Sequence, residues 1–311
     1  MTNHFDLIQA LVDNIGRVIV GKDGVVRLVV AALLSRGHVL LEDKPGVGKT
    51  VLARALAKSV DCSFKRIQCT PDLLPVDVTG YFDYRAQAFK PGPVFANLVL
   101  ADELNRATPR TQSALLEAMG ERQVSLDGVT HPLPDPFFVI ATQNPVEHRG
   151  VNDLPEAQLD RFQMVLSLGY ATAEEEKRLT LARQQSDPLE TLAPVMSAAQ
   201  LRELLAAVLE VRINEHLVDY AVALVRATRE SRLLEIGAST RSILQLVRLA
   251  QGHALVQRRA YVIPDDIKLL AQLVLPHRAT PASASTENIS ATQWKQECMG
   301  RVLADVKVPD N

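Results

Sequence analysis

The chain has 311 residues, 47% of them apolar and 23% charged, which is typical of a globular protein with two domains. Its formal net charge is −2, and basic and acidic residues are nearly balanced in both halves, which disfavours a protein that holds duplex DNA by neutralising phosphates. No signal peptide or membrane span is expected, and an odd set of three cysteines without metal-like spacing favours a reducing, cytoplasmic setting over disulfides.

The first predicted elements are two helices, over residues 4–15 and 22–35, where apolar residues recur at helical spacing. Between them lies a small apolar segment that ends in Val20 and Gly21. Its place just before a helix that leads to a glycine-rich loop makes it a candidate wall for an adenine base. The same residues could equally be ordinary core.

Residues 38–50, HVLLEDKPGVGKT, contain the stretch around which the chain is organised. The pattern predicts a strand, a tight loop and a helix N-terminus, whose free N–H groups bind polyphosphates. Lys49 would reach the β- and γ-phosphates and Thr50 would offer its hydroxyl to Mg²⁺. Asp43 stands where the general pattern has glycine, so an ordinary turn containing GKT is the alternative. The predicted nucleotide-binding residues are Pro45, Gly46, Val47, Gly48, Lys49, Thr50 and Val51.

An unusual insertion follows the next predicted strand, which covers residues 63–69. Residues 70–93 are rich in proline and aromatic residues and predict a short broken helix over 72–77 and a hairpin over 80–89. Long ordered insertions of this kind tend to be functional.

A continuous apolar run over residues 94–101 predicts a buried parallel strand that ends in Asp102 and Glu103. Ligands of open α/β sheets bind at the carboxyl ends of the strands. Asp102 is therefore placed to hold Mg²⁺, and Glu103 to polarise the attacking water. The alternative is a solvated acidic pair at a strand end.

A helix is predicted over residues 109–120, followed by a hairpin that turns at Asp127 and Gly128. Another buried strand, over 137–142, leads to Asn144. This asparagine could hold the attacking water or the γ-phosphate, or it could simply cap a loop.

A short helix over residues 155–161 presents Arg161 ahead of a last predicted strand over 164–168. This arginine is either a surface charge or a finger that enters a neighbouring subunit's nucleotide site.

No strand pattern is seen after residue 173, and Arg241 lies on the first turn of a predicted helix. Residues 279–290 predict a loose linker, and a final helix is expected over 294–304. The other predicted helices cover 173–185, 197–208, 214–229, 239–258 and 264–275.

The phosphate loop and the segments LVLADELNR, VIATQNP, PEAQLDRF and GASTR, read in this order, resemble the MoxR family of AAA+ ATPases over residues 1 to about 278. The resemblance implies an α/β fold of the P-loop NTPase class, with an αβα core around a five-stranded parallel sheet and an all-α lid domain. The implied segments are a core over 1–170 with a helix-2 insert at about 72–93 and a hairpin before sensor 1 at about 122–133, a lid over 171–278, and a linker with a short C-terminal segment over 279–311.

The resemblance also implies residue roles. Lys49 and Thr50 match Walker A, and Thr50 and Asp102 would be the metal ligands. The implied catalytic residues are Glu103 of Walker B, Asn144 as sensor 1, Arg161 as the arginine finger and Arg241 as sensor 2. Arg106 is a further candidate contact to a neighbouring subunit. The family tolerates an acid at position 43, whereas Thr240 stands where proline is frequent.

The implied function is Mg²⁺-dependent ATP hydrolysis by a ring, usually a hexamer with its arginine finger in trans. Such rings remodel or mature client proteins, often together with a von Willebrand factor A-type partner. Three other functions stay open: a DNA-acting motor, a chelatase-type metal-insertion subunit, and a regulatory nucleotide-binding module without turnover. The sequence names neither the client nor the ring size.

Overall fold

The computed structural model describes residues 2–144, 151–185, 187–283 and 291–309. Short 3-10 turns occur at Pro93–Phe95, Leu104–Arg106, Val208–Glu210 and Pro276–Arg278. Helices α1 to α12 are, in chain order, Thr2–Gly16, Asp23–Leu34, Lys49–Ser59, Pro75–Thr79, Pro109–Glu121, Glu156–Leu159, Ala173–Gln185, Ala198–Ala207, Glu215–Glu230, Thr240–Val256, Pro264–Val274 and Ala291–Ala304. Strands β1 to β13 are Val39–Glu42, Val60–Asp61, Phe64–Gln68, Gly80–Asp83, Ala88–Pro91, Leu98–Asp102, Gln123–Leu126, Val129–Pro132, Phe138–Gln143, Met164–Leu166, Met196–Ser197, Leu234–Ile236 and Thr280–Pro281.

Five strands form a parallel sheet, as predicted, and the structure shows that their order is β10-β1-β9-β6-β3. Alternate residues of β1 enter different apolar clusters on the two faces: Val39 and Leu41 pack with α1, α2 and α3, whereas Leu40 packs with α5. The sheet is therefore covered on both sides, which is why its strands read as unbroken apolar runs. Because all five strands run the same way, their carboxyl ends share one edge.

The helical region after the sheet packs onto the core without a break in the apolar cluster. Helix α10 lies against α2 and α11, and residues of α8 to α11 belong to the same cluster as α1 to α3. Among the described residues, no helix is both long and apolar enough to cross a membrane.

The two predicted hairpins, β4–β5 and β7–β8, contact each other. The ring of Phe89 stacks on that of His131 with centroids 4.0 Å apart, and the Tyr84 hydroxyl donates to Asp127 at 3.4 Å. Tyr84 is nevertheless 71% exposed. The two hairpins therefore form one feature with exposed residues.

Several expected boundaries are corrected by the structure. The strand expected from residue 94 begins at Leu98, because Pro93 opens a 3-10 turn instead. The short helix expected over 72–77 lies at Pro75–Thr79. Part of the expected linker 279–290 forms β13, and residues 284–290 lie outside the described residues.

The expectation that no strand follows residue 173 is wrong in detail. Strand β11 pairs in parallel with β2, and β12 pairs antiparallel with β13. Each of these strands is two or three residues long. That is too short for an alternating pattern to be recognised in the sequence.

Candidate functional site

The loop between β1 and α3 has the backbone conformation of a phosphate-binding loop. Gly46 and Gly48 have φ angles of +85° and +98°, which glycine adopts without steric cost. Helix α3 begins at Lys49, so its unpaired N–H groups face the loop. The Lys49 ammonium donates to the carbonyl oxygens of Asp43 at 2.5 Å and Gln143 at 3.2 Å. The loop, the lysine and the end of β9 are thereby held together.

Asp43 replaces the expected loop glycine and ties the loop to the chain after β10. One carboxylate oxygen accepts from the N–H groups of Leu168, at 2.5 Å, and Gly169, at 3.3 Å. The other oxygen accepts from the Ser167 hydroxyl at 3.0 Å. Since Asp43 is only 9% exposed, these bonds are shielded from water. The acid thus connects the loop to the segment that leads into the helical region, a role that no sequence pattern indicates.

Replacing Asp43 with alanine is expected to destabilise the fold, because it leaves the N–H of Leu168 without its charged acceptor. The expected cost is about 1–3 kcal/mol in the free energy of unfolding, measured by urea denaturation. ATP affinity, measured by calorimetry, is expected to fall as well. Ser167→Ala is the matched control, since it removes one exposed hydroxyl and leaves both N–H bonds in place. Equal stability of Asp43→Ala and the unmodified protein would contradict this assignment.

Asp102 ends β6 and is 7% exposed. One of its oxygens accepts from the Thr142 hydroxyl at 2.8 Å. The other lies 3.3 Å from the Thr50 hydroxyl and 2.6 Å from the guanidinium of Arg66. Hydroxyl and carboxylate oxygens beside a phosphate loop are the donors that Mg²⁺ takes alongside water and phosphate oxygens. Thr50 and Asp102 therefore fit the predicted metal site.

Glu103 follows directly, with a left-handed backbone (φ +56°) that turns its side chain away from the strand. Its N–H donates to the Thr142 hydroxyl at 2.9 Å. Its carboxylate accepts from the side chains of Gln68, at 3.2 Å, and Arg106, at 3.0 Å. Arg106, expected to contact a neighbouring subunit, pairs with an acid of its own chain here.

The sequence analysis did not identify three residues that hold the two acids, namely Arg66, Gln68 and Thr142. Arg66 and Gln68 alternate along β3, which pairs with β6 so that Gln68 lies opposite Asp102. Polar residues at alternating positions of a sheet strand were the available signal. Their partners became evident only from the strand order.

Asn144 follows β9 at the same edge of the sheet and is 6% exposed. Gly21, which follows Val20, lies beside the chain that follows β10: Lys22 donates to the carbonyl of Tyr170 at 2.8 Å, and Gly21 packs against Glu175. Asn144 and the segment around Gly21 are therefore near β9 and the chain after β10, both of which contact the phosphate loop.

The last described helix, α12, also reaches this region. The Thr292 hydroxyl donates to the Glu42 carboxylate at 2.9 Å, and the Gln143 side chain bonds to the same carboxylate. Burial raises the pKa of Glu42, although both hydrogen bonds act in the other direction. A helix from the end of the chain thus contacts the strand that carries the phosphate loop.

Arg161 and Arg241 lie elsewhere, in a cavity of about 270 Å³ that we call the arginine cavity. Gly37 and His38, just before β1, and Gln163, just before β10, also line it. These residues mark the amino ends of parallel strands, opposite to the edge with the phosphate loop. A strand such as β1, with four residues, spans about 13 Å.

Within the cavity, Arg241 lies 3.7 Å from the Asp160 carboxylate. The Arg161 guanidinium rests against Gly120, where a Cβ would come within 2.1 Å of its Nη1. The structure therefore brings the two predicted arginines together with each other, and brings neither to the phosphate loop of its own chain.

A phosphate loop, a helix N-terminus and two acids at one edge of a parallel sheet are the arrangement of P-loop NTPases. Two family models agree with this class: the ATPase family associated with various cellular activities (AAA) matches residues 38–164, and the AAA lid domain matches residues 226–297. The chain belongs to the MoxR family of AAA+ ATPases.

The chain is 41% identical to Chaperone MoxR1 of Mycobacterium tuberculosis, over 97% of its own length and 82% of the relative's. It is 49% identical to the protein YeaC of Bacillus subtilis, over 97% and 95% of the two chains. The crystal structure of a candidate ATPase from Cytophaga hutchinsonii superposes with a TM-score of 0.89 and 37% identity, covering 99% and 97% of the chains.

Proposed function

We propose that this protein hydrolyses ATP in a Mg²⁺-dependent reaction, as a ring that remodels or matures client proteins. The observation that carries the proposal is the division of the predicted residues between two edges of one sheet. Lys49, Asp102 and Glu103 lie at one edge, and Arg161 and Arg241 at the other. A ring in which each arginine cavity meets the next protomer's phosphate loop would complete the site.

The chain's own residues suit water attack on the γ-phosphoryl group. The loop N–H groups and Lys49 bind the β- and γ-phosphates, and Glu103 accepts the proton of the attacking water. A bond forms between the water oxygen and the γ-phosphorus as the bond to the β-phosphate oxygen breaks, which leaves ADP and phosphate. Mg²⁺ held by Thr50 and Asp102 would neutralise charge on the phosphates.

The remaining assigned residues position and stabilise the reacting groups. Asn144 would orient the attacking water or the γ-phosphate. Arg161 and Arg241 of the neighbouring protomer would stabilise the charge that develops in the transition state.

The proposed client role rests on the family and on the paired hairpins. The chain resembles a relative named as a chaperone. Tyr81, Tyr84 and Val129 on the hairpins are 48%, 71% and 55% exposed. Exposed apolar residues on paired hairpins suit contact with another protein. A von Willebrand factor A-type protein is the partner that the family resemblance suggests.

Lys49→Ala tests the nucleotide site directly. Loss of a charge-assisted contact to the phosphates is expected to weaken ATP binding by about 10- to 100-fold, measured by isothermal titration calorimetry. Lys268→Ala, which removes an exposed lysine on α11, is the control and should bind ATP like the unmodified protein. Tight ATP binding by Lys49→Ala would refute the loop assignment.

A further inference from the structure

The arginine cavity contains more arginines than the two roles of arginine finger and sensor 2 require. Two of its arginines, Arg161 and Arg241, are already assigned. Its lining includes five arginines but only one acid: Arg36, Arg122, Arg161, Arg241, Arg248 and Asp160.

Only two of the five arginines have acidic partners. Arg36 pairs with Asp135 at 2.5 Å. Arg241 lies 3.7 Å from Asp160, which also pairs with Arg278 at 2.8 Å. Within the described part of the chain, no carboxylate lies within 4.0 Å of the other three guanidinium groups. The cavity therefore has an excess of positive charge.

This arrangement is unfavourable for the isolated chain. Burial lowers the pKa of Arg122 and of Arg248, and the nearby Arg36 lowers that of Arg122 further, while Asp135 acts on Arg122 in the other direction. Arg122 also has a left-handed backbone (φ +53°) at the end of α5, a conformation that glycine usually takes. Its guanidinium donates to the Arg36 carbonyl at 2.9 Å. Such an arrangement is expected where an anion binds.

The four arginines other than Arg36 face one another from two parts of the chain. Arg241 and Arg248 lie seven residues apart on α10, with Leu244 between them, 71% exposed. These positions share one face of the helix. Arg122 and Arg161 come from the ends of α5 and α6. An anion in the cavity would thus meet guanidinium groups from both the sheet domain and the helical region.

We propose that Arg122 and Arg248 bind the phosphate groups of a neighbouring protomer's nucleotide, together with Arg161 and Arg241. This inference rests on the ring arrangement proposed above. Pockets for drug-sized ligands measure about 300–1,000 Å³, so a cavity of about 270 Å³ suits a phosphate chain better than a whole nucleotide. Arginine is suited to this role because its planar fork forms paired bonds with phosphate oxygens.

The first test measures anion binding without a ring. Lys49→Ala weakens the phosphate loop as a competing site, and tripolyphosphate is then titrated while the melting temperature is followed at constant ionic strength. The melting temperature is expected to rise with tripolyphosphate, and the rise is expected to become smaller when Arg122→Gln and Arg248→Gln are added, since only Arg161 and Arg241 then remain to bind the anion. Arg226→Gln is the matched control and should keep the rise, because Arg226 is exposed on α9, pairs with Glu230 and does not line the cavity. If the double variant does not fold, Arg248→Gln alone is compared with Arg226→Gln.

The second test asks whether the pair acts in trans. Arg122→Gln/Arg248→Gln protomers, with an intact phosphate loop, are mixed with Glu103→Gln protomers, and phosphate release is measured. Rescue above either protein alone supports the proposal. An undiminished tripolyphosphate response in the double variant overturns it. The proposal is also overturned if mixing Arg161→Ala with Glu103→Gln protomers restores phosphate release but mixing Arg122→Gln/Arg248→Gln with Glu103→Gln protomers does not. If the Arg161→Ala mixture itself fails, the ring arrangement is refuted, while tripolyphosphate still reports on the cavity separately.

Discussion

Replacing Glu103 with glutamine is expected to lower ATP turnover by about 10²–10⁴-fold while ATP binding persists. A glutamine side chain can still accept hydrogen bonds from Gln68 and Arg106, so the local structure is expected to survive. It cannot accept a proton from water, so the nucleophile is no longer activated. Phosphate release at saturating ATP measures turnover, and calorimetry measures binding.

The control for Glu103→Gln is Glu121→Gln, which removes an exposed acid at the end of α5. This control is expected to turn over ATP like the unmodified protein. Turnover by Glu103→Gln within a few fold of normal would rule out Glu103 as the base. The Glu103→Gln variant, loaded with ATP, can also be used to isolate a bound client, because hydrolysis would not release the complex.

Arg161→Ala is expected to lower turnover by about 10³–10⁵-fold, the range found for arginine fingers. The phosphate loop of the Arg161→Ala protein is unchanged, so ATP binding should persist. The structural reason is position: Arg161 lies in the arginine cavity, across the sheet from Lys49 and Glu103. Arg110→Ala, an exposed arginine on the first turn of α5, serves as the control and should retain activity.

Mixing Arg161→Ala with Glu103→Gln protomers is expected to restore part of the activity. In a mixed ring, some intact phosphate loops would meet the intact Arg161 of a Glu103→Gln neighbour. Phosphate release should therefore peak at an intermediate ratio of the two proteins. A mixture that never exceeds its components would show that Arg161 does not act across an interface.

Much of the sheet and of the predicted phosphate-loop edge could be read from local patterns. Buried parallel strands appear as apolar runs, and the residues that end them, such as Asp102 and Asn144, share one edge by topology. The roles of these residues stay predictions until they are tested by substitution. The short strands β2 and β11 to β13 could not be read, because pairing over two or three residues depends on the tertiary fold.

Contacts between distant segments were equally invisible in the sequence. Asp43 meets residues 167–169, more than a hundred positions away, so the sequence shows only a departure from a pattern. The arginine cavity gathers residues from before β1, after α5 and from α10. Each arginine alone reads as a surface charge, and only their convergence shows an excess of positive charge.

In the proposed ring, the placement of the phosphate loop and the arginine cavity at opposite edges of one sheet would also make activity depend on protein abundance. A single protomer would bind ATP but hold only half of the groups that turn it over, so specific activity would rise with protein concentration as protomers associate by mass action. At protein concentrations below the association midpoint, the rate of ATP hydrolysis per protomer would fall. The cell could then regulate this ATPase through the amount of protein it makes, without any separate inhibitor.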